Sequence, residues 1–316
     1  MIDFRYHVVS IVAVLLALAL GLFLGSTTLQ GRVFDDLKGR ANTVTKDNHV
    51  LTGQRDLARK QLSRAQQFDA ALQPQAVAEQ LSGETVAVVS APGVSGSDRS
   101  AVLTVLSQAG AQVTADVRLS SSYTDPGESA ELGQLAKELP GRQPSAPTSG
   151  AAAADAKLAS VLVTRPARTA VSPARIAQVL DAFSAGKLLS VSGNTPTRQA
   201  ALGLLLVPAG DTGTPTATLR EQSEILLTMA HDLGTSGEGA AVAGPTPVTG
   251  VPGVLDEARG SEGPIIKGVS TVDSYDVAAG RIAIVLALGA ALDGTAGAYG
   301  PAVPSGAALP SPSPTP

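Results

Sequence analysis

The chain has 316 residues, a formal net charge of −4 and a sequence pI of about 5.4. That balance, with no basic cluster, argues against a nucleic-acid partner. There is no cysteine, which excludes disulfides, thiolate metal sites and cysteine nucleophiles. Aromatic residues make up 3% of the chain and tryptophan is absent, against the aromatic girdles of a transmembrane β-barrel.

A short head, 1–7, leads into an uncharged run at 8–25, VVSIVAVLLALALGLFLG, interrupted only by Ser10, Gly21 and Gly25. As an α-helix this run spans about 27 Å, close to the roughly 30 Å hydrocarbon core of a bilayer. It is longer than the apolar region of a signal peptide and no good small-residue cleavage site follows it. An uncleaved membrane anchor is expected. Arg5 precedes the run and Arg32, Lys38 and Arg40 follow it. Those charges do not settle orientation, because long domains translocate regardless of them. Ala13, Ala17, Gly21 and Gly25 form one stripe, and Gly21-x-x-x-Gly25 is a spacing that lets two helices approach closely in lipid.

Residues 29–72 read as heptads. Position a falls on Phe34, Ala41, Asn48, Arg55 and Leu62, and position d on Leu37, Val44, Leu51, Ala58 and Ala65. Asn48 at an a position favours an in-register, parallel two-stranded coil. A parallel homodimer through Gly21, Gly25, Leu37, Val44, Asn48, Leu51 and Leu62 is the expectation, against a single amphipathic helix packed on its own domain.

From about Ser82 the period changes. Strands are expected at 85–91, 112–119, 160–164, 187–191, 204–208 and 240–243, and helices at 97–109, 128–139, 172–185, 219–233 and 275–292. Ser172 reads as an N-cap with Pro173 at the first helical position. Strands alternating with helices mean βαβ crossovers, so 82–300 is expected to be a Rossmann-like α/β domain around a largely parallel sheet. A Pro/Ser/Ala-rich stretch at 140–155 reads as a flexible insert, and the Pro/Ser tail at 301–316 as disordered.

The sequence carries little chemistry. No G-x-G-x-x-G follows the first strand, no phosphate-binding G-x-x-x-x-G-K-[ST] occurs, and no G-x-S-x-G nucleophile turn is present. No enzyme is expected. The candidate soft-metal ligands are His7, His49, His231 and Met229, with no H-x-x-x-H or Met-rich run to bring them together. In a dimer, His7 of one chain can meet His7 of the other near the membrane surface. The most distinctive polar stretch is STVDSYDVAAGR at 270–281. Asp273, Asp276 and Arg281 there form either a surface motif at a strand-to-helix turn or a set of helix caps, with Asp273 or Ser274 at the N-cap and Asp276 in the first turn.

RYHVVSIVAVLLALALGLFLGS at the start, GQRDLARKQLSRAQQFD in the heptad segment and STVDSYDVAAGRIAIVLAL near the end closely resemble the mycobacterial copper transport protein B (MctB) family. The resemblance implies an actinobacterial envelope protein of copper homeostasis, described for the family as an outer-membrane copper channel or efflux component, with its bulk outside the cytoplasm. No copper ligands carry over, so copper enters only as an ion the resemblance implies and no tightly bound cofactor is expected. The residues themselves favour a plasma-membrane anchor, because the strands are too short and too uniformly apolar for a barrel. The alternative reading is a non-catalytic scaffold or regulator of cell-envelope assembly, engaging a partner protein through its coiled coil.

Overall fold

The computed structural model describes residues 4–139, 149–166, 168–260, 268–302 and 307–310, and the side chains of these except at 26–36. The chain divides into two units, Met1–Ala65 and Gln66–Pro316.

One helix, α1, runs without interruption over Phe4–Val77. The expected anchor and heptad segment are therefore one continuous helix, which passes through Gly39 and Gly53 and through Pro74 near its end. Its first part, Phe4–Gly25, is long and apolar enough to cross a membrane. Beyond it, the heptad side chains Leu37, Val44, Leu51 and Leu62 all stand exposed, at 59–61% of their full surface.

The second unit is built on a seven-stranded sheet in the order β3-β2-β1-β4-β5-β6-β7. The strands are β1 (Thr85–Ser90), β2 (Gln112–Leu119), β3 (Leu189–Val191), β4 (Leu202–Leu206), β5 (Gly239–Ala243), β6 (Val269–Val272) and β7 (Ala298–Tyr299). All neighbours run parallel except β2 and β3. This is the doubly wound order of a Rossmann-like fold. The sheet is open, with edges at β3 and β7, and is not the closed antiparallel ring of a membrane barrel. β1, β4 and β5 are apolar on both faces, as strands covered by helices on both sides must be.

On one face, α3 (Ser129–Glu138), α4 (Gly150–Leu162), α5 (Pro173–Ala185), α6 (Thr216–Ser236) and α7 (Val254–Arg259) form the larger core, including Leu132, Leu158, Leu162, Phe183 and Leu233. On the other, α2 (Gly96–Gln108), α8 (Ala278–Leu292) and the end of α1 enclose Val77, Leu81, Leu106, Ile284 and Leu288. Each such buried side chain contributes on the order of 1.5–3 kcal/mol of transfer free energy. Gln73 joins the end of α1 to this face: its side-chain amide donates to Gln108 at 3.0 Å and accepts from Arg281 Nε at 3.1 Å.

Several expectations are corrected. The apolar run at 160–164 is not a strand. It is the end of α4, and only Val163 bridges the sheet margin, opposite Ala200. The reason lies upstream, where Ser149 accepts the Ala152 N–H and starts a helix through an alanine-rich stretch. Residues 150–155 of the expected flexible insert are thus helical and packed, while 140–148 lie outside the described residues. The expected tail is in part tied down: Tyr299 pairs with Ala307, and the Ala302 N–H donates to Asp273. Residues 303–306 and 311–316 lie outside the described residues. The last helix begins at Ala278 rather than at 275. Ser172 does occupy the N-cap of α5, yet its side chain makes no capping bond. β6, β7 and α7 are not among the expected elements; the first two are too short for a periodic signal.

Candidate functional site

Ligands of doubly wound sheets bind beyond the carboxyl ends of the strands, where the strand order reverses. Here that point lies between β1 and β4, and much of it is filled. After β1 the chain turns at Gly93 (φ +88°), where a Cβ would lie 3.1 Å from Pro208 beyond β4. Ser95 then caps α2, accepting the Asp98 N–H at 3.1 Å while its hydroxyl donates to the Asp98 carboxylate at 2.7 Å. A carboxylate therefore occupies the first turn of α2, the position a dinucleotide phosphate takes in such folds. Tyr275 fills the same end of the sheet. It is buried, and its hydroxyl donates to the Val207 carbonyl at 2.8 Å. A cavity of about 150 Å³ remains on the α6 side, lined by Thr124, Pro208, Gln222 and Ser223 among others.

Tyr275 belongs to the stretch at 270–281, and each polar residue of that stretch has its own partner. Asp273 is fully buried. It accepts from Arg259 Nη1 at 3.0 Å, from the Ser274 hydroxyl at 2.8 Å and from the Ala302 N–H at 3.0 Å. Arg259 also donates to the Thr271 hydroxyl at 3.0 Å and to the Tyr299 carbonyl at 2.9 Å. Asp276 accepts the Thr246 N–H at 2.7 Å and the Thr246 hydroxyl at 2.9 Å. Arg281 reaches Gln73 and donates to the Tyr275 carbonyl at 3.0 Å. The three residues do not converge on one groove, and they do not cap α8, whose N-cap is Val277 without a side-chain bond. Ser274 takes a left-handed conformation (φ 63°) at the turn. The stretch works as a staple joining β6, β7, α7, α8 and the end of α1.

A second, larger cavity of about 390 Å³ lies between α4 and α6, with Pro126, Ser129 and Ser149 also in its lining. Asp155 on α4 lines it, fully buried, with one carboxylate oxygen accepting the Tyr123 hydroxyl at 2.7 Å and the other unpartnered. Desolvation holds the Asp155 carboxyl well above the usual carboxylate range, opposed by the Tyr123 hydrogen bond and aided by Asp232. Burial pushes Asp232 up to about 6, partly offset by His231. The tyrosine hydroxyl is likewise raised, by burial first and then by Asp155. Glu221, Glu224 and Thr228 on α6 complete the polar lining. Sequence reasoning misses Asp155 because it sits in the alanine-rich stretch that reads as an insert. A single acid inside an apolar helical run, Ala-Ala-Ala-Ala-Asp-Ala-Lys-Leu, is the available signal.

The candidate metal ligands are scattered. His7 and His49 stand exposed on α1. Met229 is fully buried in the core, and His231, two residues on, has an unpartnered Nδ1. Among the described residues no three His, Asp or Glu side chains are placed to hold one metal ion.

The family model described as "Copper transport outer membrane protein, MctB" matches residues 1–310. The chain belongs to the MctB family. Similar proteins named "Copper transporter MctB" occur in Mycobacterium tuberculosis and Mycobacterium bovis, each 29% identical over 300 residues, covering 91% of this chain and 92% of the relative. The protein of that name in Mycobacterium leprae is 31% identical over 309 residues, covering 95% of this chain and 96% of its own. MctB similarity therefore extends over the apolar helix, the long polar helix and the α/β unit alike.

Proposed function

We propose that this chain is a membrane-anchored, non-enzymatic component of copper homeostasis and transport at the cell envelope, with the copper ion as cargo. The observation that carries this is the family match over 1–310, supported by relatives named as copper transporters that align over nearly their full length. The helix Phe4–Gly25 serves as a single-pass anchor, and the α/β unit lies outside the cytoplasm. The family description speaks of an outer membrane; a single apolar helix beside an open sheet is better suited to the plasma membrane.

The working form in this reading is a parallel homodimer. Gly21 and Gly25 allow close approach within the bilayer, and Leu37, Val44, Asn48, Leu51 and Leu62 form the seam beyond it. The exposure of the four aliphatic members of that set in the single chain supports the pairing. Dimerisation also brings His7 near its counterpart at the membrane surface, giving an imidazole pair that suits copper, whereas His49, at an outward b position, faces away from the seam.

The test is cell-associated copper and growth under copper stress in a deletion strain. Complementation by the intact chain restores both. A variant carrying His7→Ala, His49→Ala and His231→Ala restores less. Equal rescue by the two would mean that the imidazoles do not handle the ion, and unchanged copper in the deletion strain would remove the copper reading altogether.

A further inference from the structure

The cavity of about 150 Å³ straddles the point where the strand order reverses: Pro92 follows β1, Pro208 follows β4, and both line it. Open α/β sheets place their ligands at this point. The copper reading makes no use of it. Its polar lining is Ser121, Thr124, Gln222 and Ser223. Thr124 and Ser223 are each more than nine-tenths buried. The Thr124 hydroxyl donates to the Ser121 carbonyl at 3.3 Å, and its oxygen can still accept. The Ser223 hydroxyl and the Gln222 amide engage no partner among the described residues, and a buried hydroxyl without a partner is costly. The rim is held by backbone packing. A Cβ on Gly210 would strike the Pro252 carbonyl oxygen, so the chain after β4 and the chain before α7 meet closely. Tyr275 fixes the strand exit beside Pro208 through the Val207 carbonyl.

We propose that this cavity binds a small uncharged polyol, of a size between glycerol and an aldopentose. Its volume equals that of about five waters, at roughly 30 Å³ each. Among the described residues no charged side chain lines it, so an ionised ligand would be buried without a counter-charge. No aromatic ring lines it either, which leaves a planar base without a stacking surface. The hydroxyls of a polyol donate and accept at once, and so do the three hydroxyls and the amide of the lining. Its C–H edges lie against Pro92, Pro208 and Leu226.

The experiment is saturation-transfer NMR of the full chain in a zwitterionic detergent, which carries no sugar headgroup. The ligands are glycerol and D-ribose, with n-butanol and glycerate as comparators. Saturable binding of at least one polyol is expected, about tenfold tighter than either comparator. Ser223→Ala and Gln222→Leu should each weaken it about fivefold, the effect of losing one neutral hydrogen bond. Neither substitution removes a side-chain bond that the protein makes within itself, so an unchanged melting temperature accompanies the loss. Glu221→Gln, at an exposed position on the same helix, should leave binding unaltered. Absence of saturable binding overturns the proposal and leaves the cavity to water. Equal affinity for n-butanol overturns it as well, since the cavity would then be an apolar void, as does equal affinity for glycerate. Binding that survives both Ser223→Ala and Gln222→Leu unchanged would lie elsewhere on the protein and would equally overturn it.

Discussion

At the scale of single residues, the most consequential pair is Arg259 with Asp273. Asp273 is fully buried and Arg259 largely so, and between them they satisfy groups from β6, β7 and the segment after β7. Removing one member strands the other charge in the interior, a loss on the order of 3 kcal/mol or more. Arg259→Met is therefore expected to lower the denaturation midpoint of the full chain in detergent by at least that equivalent, while Glu138→Gln at an exposed position leaves it unchanged. The raised acids give a second prediction. Asp232, at about 6, and Asp155, raised well above the ordinary value, hold their protons more tightly folded than unfolded. Their contribution to stability is thus intact below about pH 4 and is lost as the pH rises through 6, where ionisation opposes folding. Thermal melts between pH 4 and 8 should show Asp232→Asn removing part of that decline and raising the melting temperature most at the alkaline end.

At the scale of elements, the β6–α8 connection shows a local sequence serving a distant requirement. Gly280 sits where the first turn of α8 returns against the strand exit, and a Cβ there would strike the Ser274 carbonyl. Gly280→Ala, which would ordinarily help a helix by up to about 1 kcal/mol, is expected here to destabilise the domain, measured as a lower unfolding midpoint. The helical spacing of α2, α5 and α6 and the apolar runs of β1, β2 and β5 were legible in the sequence. The α4 segment was not. Val161, Leu162 and Val163 have strand propensity, but the upstream alanines and the Ser149 cap propagate a helix into them, and packing against α3 and α6 holds it. The signature at 270–281 could be located from the residues, yet its partners could not. Arg259, Thr246 and Gln73 are distant in the chain, and no pattern in a single sequence pairs them with it.

At the scale of the whole molecule, α1 carries exposed aliphatic side chains at heptad spacing over much of its length beyond the membrane segment. A helix with such a stripe is expected to find a partner. Chemical cross-linking of the full chain in membranes should trap a dimer. Placing charge in the seam, as Val44→Asp with Leu51→Asp, should abolish it while leaving the α/β unit's near-ultraviolet signal intact. A cross-linked dimer that survives both substitutions would move the interface away from the heptads.

The sequence by itself determined the apolar helix, the α/β alternation, the parallel character of the sheet and the family, because each is written in local periodicity or in contiguous motifs. It also shows that no glycine fingerprint for a dinucleotide follows the first strand. Only the tertiary structure decided the strand order, the antiparallel edge at β3, the stapling role of Asp273, Asp276 and Arg281, and the burial of Asp155 against Tyr123. These depend on which residues far apart in the chain come to share a low-dielectric interior, and that is fixed by packing rather than by neighbours in sequence.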